Sequence, residues 1–134
     1  MVSKMPMDAY RVFVAKEKVN KLTEKIFKNP NRMDESDAFR HFVWSALLTH
    51  EMGKEKAKLF LDAHEEDSTQ SSVEKKMDMQ NNKSGIEFAL GSKKNKDKFD
   101  LAKIEKEALE RLRRKKLKVI KPQLAEIPGG YYSK

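Results

Sequence analysis

Between Ala38 and Leu48 the chain is apolar at Ala38, Phe39, Phe42, Val43, Trp44, Ala46, Leu47 and Leu48. Wound at 3.6 residues per turn, those positions leave no wide polar stripe. Such a helix has to be covered on nearly every side, so the rest of a 134-residue chain must wrap around it. Arg40 and His41 lie inside the run. A buried ionisable group without a partner costs several kcal/mol or gives up its charge, so both residues need specific partners.

The following residues suggest where the partners of His41 come from. Gly53 is a natural helix stop, and Lys54 opens a further helix running to about His64. Two helices joined by so short a turn fold back antiparallel, and positions equidistant from the turn face each other. The spacing around Gly53 therefore sets His41 opposite His64 and Glu65.

The remaining elements also read as helices. Asp8 can cap a first helix reaching about Lys28, with Tyr10, Phe13, Val14, Leu22 and Ile26 as its apolar stripe. Asn29-Pro30-Asn31 ends it, and Asp34, Glu35, Ser36 and Asp37 offer an N-cap and first-turn acids to the buried helix. In the third helix the apolar residues are Ala57, Leu59, Phe60, Leu61 and Ala63.

A polar loop over 66–72 precedes a fourth helix over 73–90, and 91–98 reads as a basic turn. The last helix spans 99–118, with Leu101, Ile104, Ala108, Leu109 and Leu112 facing inward. Beyond it Pro122, Pro128 and Gly129-Gly130 break any regular helix, and Tyr131-Tyr132 can tuck back onto the body. The expected fold is all-α, one domain over 1–134 of about five helices around a buried second helix. The motif-bearing core covers about 34–92, and a basic helix and tail cover 93–134.

There is no cysteine, so the fold has neither disulfides nor thiolate metal ligands to draw on. No apolar run reaches the roughly 20 residues of a membrane span, and no transmembrane segment is expected. The net charge of +8 is concentrated: residues 93–121 hold 13 Lys/Arg against five acidic residues, and the rest of the chain balances. That segment can track a polyanion such as nucleic acid, or be an ordinary solvated helix.

His41 with His64 and Glu65 is the leading candidate for chemistry, as imidazole serves both as a general base and as a metal ligand. Asp78 would complete a His-His-carboxylate set able to hold a divalent metal. A hydrogen-bonded network that only locks the hairpin is the structural alternative. Asp78, Asn81, Asn82 and Gly85 share one face of the fourth helix, although Asn and Gly are poor helix formers there. Asn81 and Asn82 are candidates for orienting substrate. Arg40 can fork onto an anionic substrate group or pair with Asp37. Trp44 can be core or a substrate platform.

The string A-F-R-H-x-x-W, then H-E, then M-D-x-x-N-N-x-x-G resembles an uncharacterised bacterial domain of secreted, wall-associated and polymorphic-toxin proteins. The resemblance runs through Ala38, Arg40, His41, Trp44, His64-Glu65, Met77-Asp78, Asn81-Asn82 and Gly85, and leaves the N-terminal helix and basic tail uncovered. It implies a catalytic site and an exported, secreted or periplasmic setting.

The combined expectation is a small hydrolase acting on an anionic substrate, with a phosphodiester or phospholipid favoured by the basic flank and a glycan as the other option. In it His41 is the base, His64 or Glu65 is its partner, and Asp78, Asn81, Asn82 and Arg40 position water, metal or substrate. The alternative is a non-catalytic module that binds nucleic acid or a protein through residues 93–121. Replacing Trp44 with Ala in so apolar a helix should cost about 3–5 kcal/mol. A thermal melt without loss would show that this residue is not packed.

Overall fold

The second helix meets another element on every side. The structure, a computed structural model, describes residues 6–31, 33–66, 69–94, 99–123 and 127–128. Five helices follow in order: α1 (Pro6–Ile26), α2 (Glu35–Met52), α3 (Lys54–Glu66), α4 (Ser72–Lys94) and α5 (Leu101–Arg113). The fold is an all-α bundle, and from Glu35 to Thr49 every residue of α2 except Arg40 is buried.

Asp34 starts α2 by accepting hydrogen bonds from the Ser36 and Asp37 amides, in the manner of an N-cap. Gly53 ends it at φ +88°, a backbone that β-carbon-bearing residues rarely adopt, and its N–H returns to the Thr49 carbonyl. The chain reverses there, and α3 runs antiparallel to α2.

α1 also runs antiparallel, since Lys16 lies over Trp44 and Phe27 meets Phe39 edge-on. α4 runs parallel, with Asp78 near His41 and Gly85 against Phe42, Ser45 and Ala46. α5 lies antiparallel, with Phe99 by His50 and Arg111 over Phe42 and Phe88. The tail after α5 returns to the start of α2: Ile120 and Lys121 donate to the Met33 carbonyl, and Gln123 donates to buried Glu35. No helix among the described residues is long and apolar enough to cross a membrane.

Several expectations need correcting. On α1 the buried line is Ala15, Val19 and Thr23, continued by Phe27 just past its end, while Tyr10 and Phe13 are 65% and 61% exposed. Small residues face α2 because its large apolar side chains already fill that space. On α3 only Ala57, Leu61 and Glu65 are buried, and Leu59 and Ala63 point to solvent. α4 continues through Gly91 to Lys94, because Ala89 and Ser92 still bury against the body. α5 is shorter than expected and ends at Arg113, followed by Lys115 at φ +58°. Residues 95–98 of the basic turn and the Tyr131-Tyr132 pair lie outside the described residues.

Gly85 is the point of closest approach between α2 and α4. A Cβ there would overlap Ser45 Oγ and the Phe42 carbonyl and would lie 3.0 Å from Ala46 N. Relieving such overlap in a packed core costs about 1–3 kcal/mol. Gly85→Ala should lose at least that much in a denaturant melt; an unaltered midpoint would mean that α4 can back away freely.

Candidate functional site

His41 lies in the first half of α2, on the side where α1, α3 and the start of α4 converge. Asp37, one turn earlier on the same helix, accepts from His41 Nδ1 through its main-chain carbonyl at 3.0 Å, and its Oδ1 lies 3.3 Å away. The bond to the carbonyl places a proton on Nδ1 and turns Nε2 outward from α2. There it meets Asp78 Oδ2 from α4 at 3.4 Å and Glu65 Oε2 from α3 at 3.6 Å. His41 is 4% exposed, Glu65 3% and Asp78 fully buried. Three carboxylates therefore surround one imidazole.

Their neighbours complete the setting. Arg40 pairs with Asp37 through Nη2, with 40% of its side chain exposed. Asp37 Oδ2 accepts from the Met33 amide at 2.8 Å and so holds the φ +67° backbone before α2. Gln70, from the loop before α4, donates to Asp78 Oδ2 at 2.7 Å. Neither oxygen of Glu65 has a hydrogen-bond partner, and neither has Asp78 Oδ1.

Burial alone would strip the proton from His41, but the carboxylates of Asp37, Glu65 and Asp78 around the ring outweigh it and raise the pKa to about 10. Burial pushes Asp37 up, yet His41, Arg40 and the Met33 amide bring it down to about 2. Burial raises Asp78 to about 6, with Asp37 and Glu65 adding to the rise against the pull of His41. His64 moves the other way: burial, then the charge of Lys16, lowers its pKa. At neutral pH His41 is an imidazolium and His64 a neutral imidazole. While His41 holds that second proton it accepts no other, and the ring with a free lone pair is His64.

A cleft of about 90 Å³ opens beside the cluster, lined by Lys16, Val19, Asn20, Arg40, His41, Trp44, His64 and Gln70. At roughly 30 Å³ per water this is room for about three waters, or one small charged group. Trp44 is both core and wall: it is 4% exposed, meets His64 edge-on at 5.2 Å, and its indole N–H has no partner.

The structure thus brings His41, Glu65 and Asp78 together and sets Arg40, Trp44 and His64 around the adjoining cleft. No hydrogen bond joins the two histidines among the described residues. Asp37, His41 and Asp78 offer metal-ligating atoms within 4.8 Å of one another; His64 does not belong to that group.

Two candidates have other work. The Asn81 amide is committed to the main chain of Lys118, donating to its carbonyl and accepting from its N–H, both at 2.9 Å. Asn82 lines a separate apolar cavity with Leu61, Met79 and Ile86. Sequence reasoning gave Asp37 only a capping role and a pairing with Arg40, although its i,i+4 spacing to His41 was the signal available. Lys16, Asn20 and Gln70 carried no signal, because only the tertiary fold brings α1 and the loop before α4 to the cleft.

An all-α bundle with a buried histidine–carboxylate cluster beside a cationic cleft is what the geometry defines. The chain belongs to a family described as a domain of unknown function, DUF6973, which matches residues 1–115. The match takes in α1 and α5, which the motif resemblance left out. The chain matches no curated protein and no solved structure.

The shifts at the cluster set the pH dependence of stability. A pKa raised from 6.5 to about 10 in the folded state means the His41 contribution is complete below pH 6.5 and lost as pH rises through 10. The Asp37 contribution is present above pH 3.8 and lost as pH falls towards 2. In chelator-containing buffer, His41→Gln should flatten the decline in melting temperature between pH 7 and 10. An equal slope in both proteins would show that His41 carries no bound proton.

Proposed function

We propose that this protein is a small hydrolase that cleaves a phosphodiester group, in nucleic acid or phospholipid, bound in the cleft beside His41. The observation that carries the reading is the pairing, along one cleft, of a neutral His64 with the cationic Lys16 and Arg40. A single phosphate suits the volume and the charge. Lys16 and the free edge of the Arg40 guanidinium oppose the negative phosphoryl oxygens.

His64 takes a proton from the attacking water, whose oxygen bonds to phosphorus as the ester oxygen departs. His41 lines the cleft, and its ring is held in place by Asp37. The resemblance to a domain of secreted and toxin-like proteins supports an exported role.

The competing reading, a binding module working through 93–121, draws less support. Arg111 and Arg114 are paired with Glu107 and Glu110, and Arg111 also stacks on Phe42 and Phe88. Arg111 thus serves the packing of α5.

The test uses bis(p-nitrophenyl) phosphate and phospholipid vesicles as substrates, with toxicity on expression in the cytoplasm and the periplasm. His64→Gln should lower the rate by about 10²–10⁴ with little change in melting temperature, since His64 is only half-buried. The wild-type rate should be flat above pH 6.5 and fall at lower pH as His64 takes a proton. A mutant as active as wild type, or a wild type inert on both substrates and harmless in both compartments, would overturn the reading.

A further inference from the structure

His41 Nε2 faces two carboxylate oxygens, Asp78 Oδ2 and Glu65 Oε2, and all three atoms are buried. When the ring is neutral its Nδ1 proton is committed to the Asp37 carbonyl, so Nε2 presents a lone pair to two further sets of lone pairs. Something positive has to lie among them. A proton on Nε2 answers this only in part. Charge-assisted N–H···O bonds close to about 2.7–2.9 Å, whereas the distances here are 3.4 and 3.6 Å.

The charge balance points the same way. Arg40 offsets Asp37, and one imidazolium is left facing both Asp78 and Glu65. Glu65 is 3% exposed, neither of its oxygens has a hydrogen-bond partner, and Oε2 is aimed at His41. Asp78 Oδ1 is likewise buried and without a partner. A buried carboxylate in that condition is costly unless a cation completes it.

Donor atoms on one cation at about 2.0–2.6 Å lie no more than roughly 5 Å apart. Asp37, His41 and Asp78 each offer an atom within 4.8 Å of the others. We propose that the cluster is a divalent-cation site in which the His41 ring gives up its second proton to solvent and binds the ion together with the carboxylates of Asp37 and Asp78, and Glu65 supplies a further oxygen. One imidazole among carboxylates suits Mn²⁺, Fe²⁺ or Zn²⁺ better than the all-oxygen cations Mg²⁺ and Ca²⁺. Gln70, which bonds Asp78 and also lines the cleft, marks the side from which the ion enters. This inference rests on the cluster alone and holds whether or not the cleft hydrolyses a phosphodiester.

The experiment titrates the chelator-stripped full chain with Mn²⁺, followed by the loss of the free-ion electron paramagnetic resonance signal and by the melting temperature. One ion should bind per chain and raise the melting temperature. Asp78→Asn and Glu65→Gln keep the shape of their side chains and remove a charge, so both should fold, and each should weaken binding about tenfold or more. Mn²⁺ uptake undiminished in both variants would place any ion elsewhere and overturn the proposal. Absence of uptake by the folded wild type would overturn it equally. Because the readout is binding, its failure leaves the hydrolytic reading to be judged by its own assay.

Discussion

A helix with no wet side can place an ionisable residue only against a partner brought by another element. α2 is such a helix, and its histidine is the most demanding residue on it. Water cannot solvate His41, so the fold supplies Asp37 from the preceding turn, Glu65 from α3 and Asp78 from α4. Each of those acids is itself buried, and each then needs its own neighbour. Arg40 and the Met33 amide serve Asp37, and Gln70 serves Asp78. The dependency spreads from one imidazole to the loop before α2, to α3, and to the loop before α4.

The consequence for chemistry is a separation of the two histidines by environment. His41 sits among carboxylates and keeps a proton; His64 sits beside Lys16 and loses one more readily. Identical side chains in one hairpin would behave alike in water. Here the position of the acids relative to the cleft gives one a fixed charge and the other a free lone pair. Environment alone thus separates two identical side chains within one hairpin.

Much of this was legible in the chain. The apolar run at 38–48 required a central helix, and the Gly53 turn set Glu65 against His41. The i, i+3, i+4, i+7 face of α4 brought Asp78 to α2. What could not be read was the composition of the cleft. Lys16 and Asn20 reach it because α1 presents Ala15, Val19 and Thr23 to α2, whereas its larger residues Tyr10 and Phe13 read as the inward stripe. Hydrophobicity alone favours the large residues; the space left by Phe39, Val43 and Trp44 favours the small ones. The protonation state of His41 could not be read either, since spacing identifies neighbours and leaves open how their charges sum.

The polar face of α4 shows how a site-like pattern arises from unequal duties. Asp78 belongs to the cluster, Asn81 binds the Lys118 main chain, and Gly85 permits the close crossing with α2. Only Asp78 is next to His41, yet the others govern where it stands. Gly85 is seven residues further along, about 10.5 Å at 1.5 Å per residue, on the same face. A side chain there would lever α4 away from α2, and at 3.4 Å from Nε2 the Asp78 carboxylate has little distance to give. Asn81 acts from the other side, tying the tail to α4 while Ile120 and Lys121 tie it to Met33, whose amide bonds Asp37. The backbone before α2 and the crossing of α4 are thereby fixed together, and the two acids on opposite sides of the His41 ring are fixed with them.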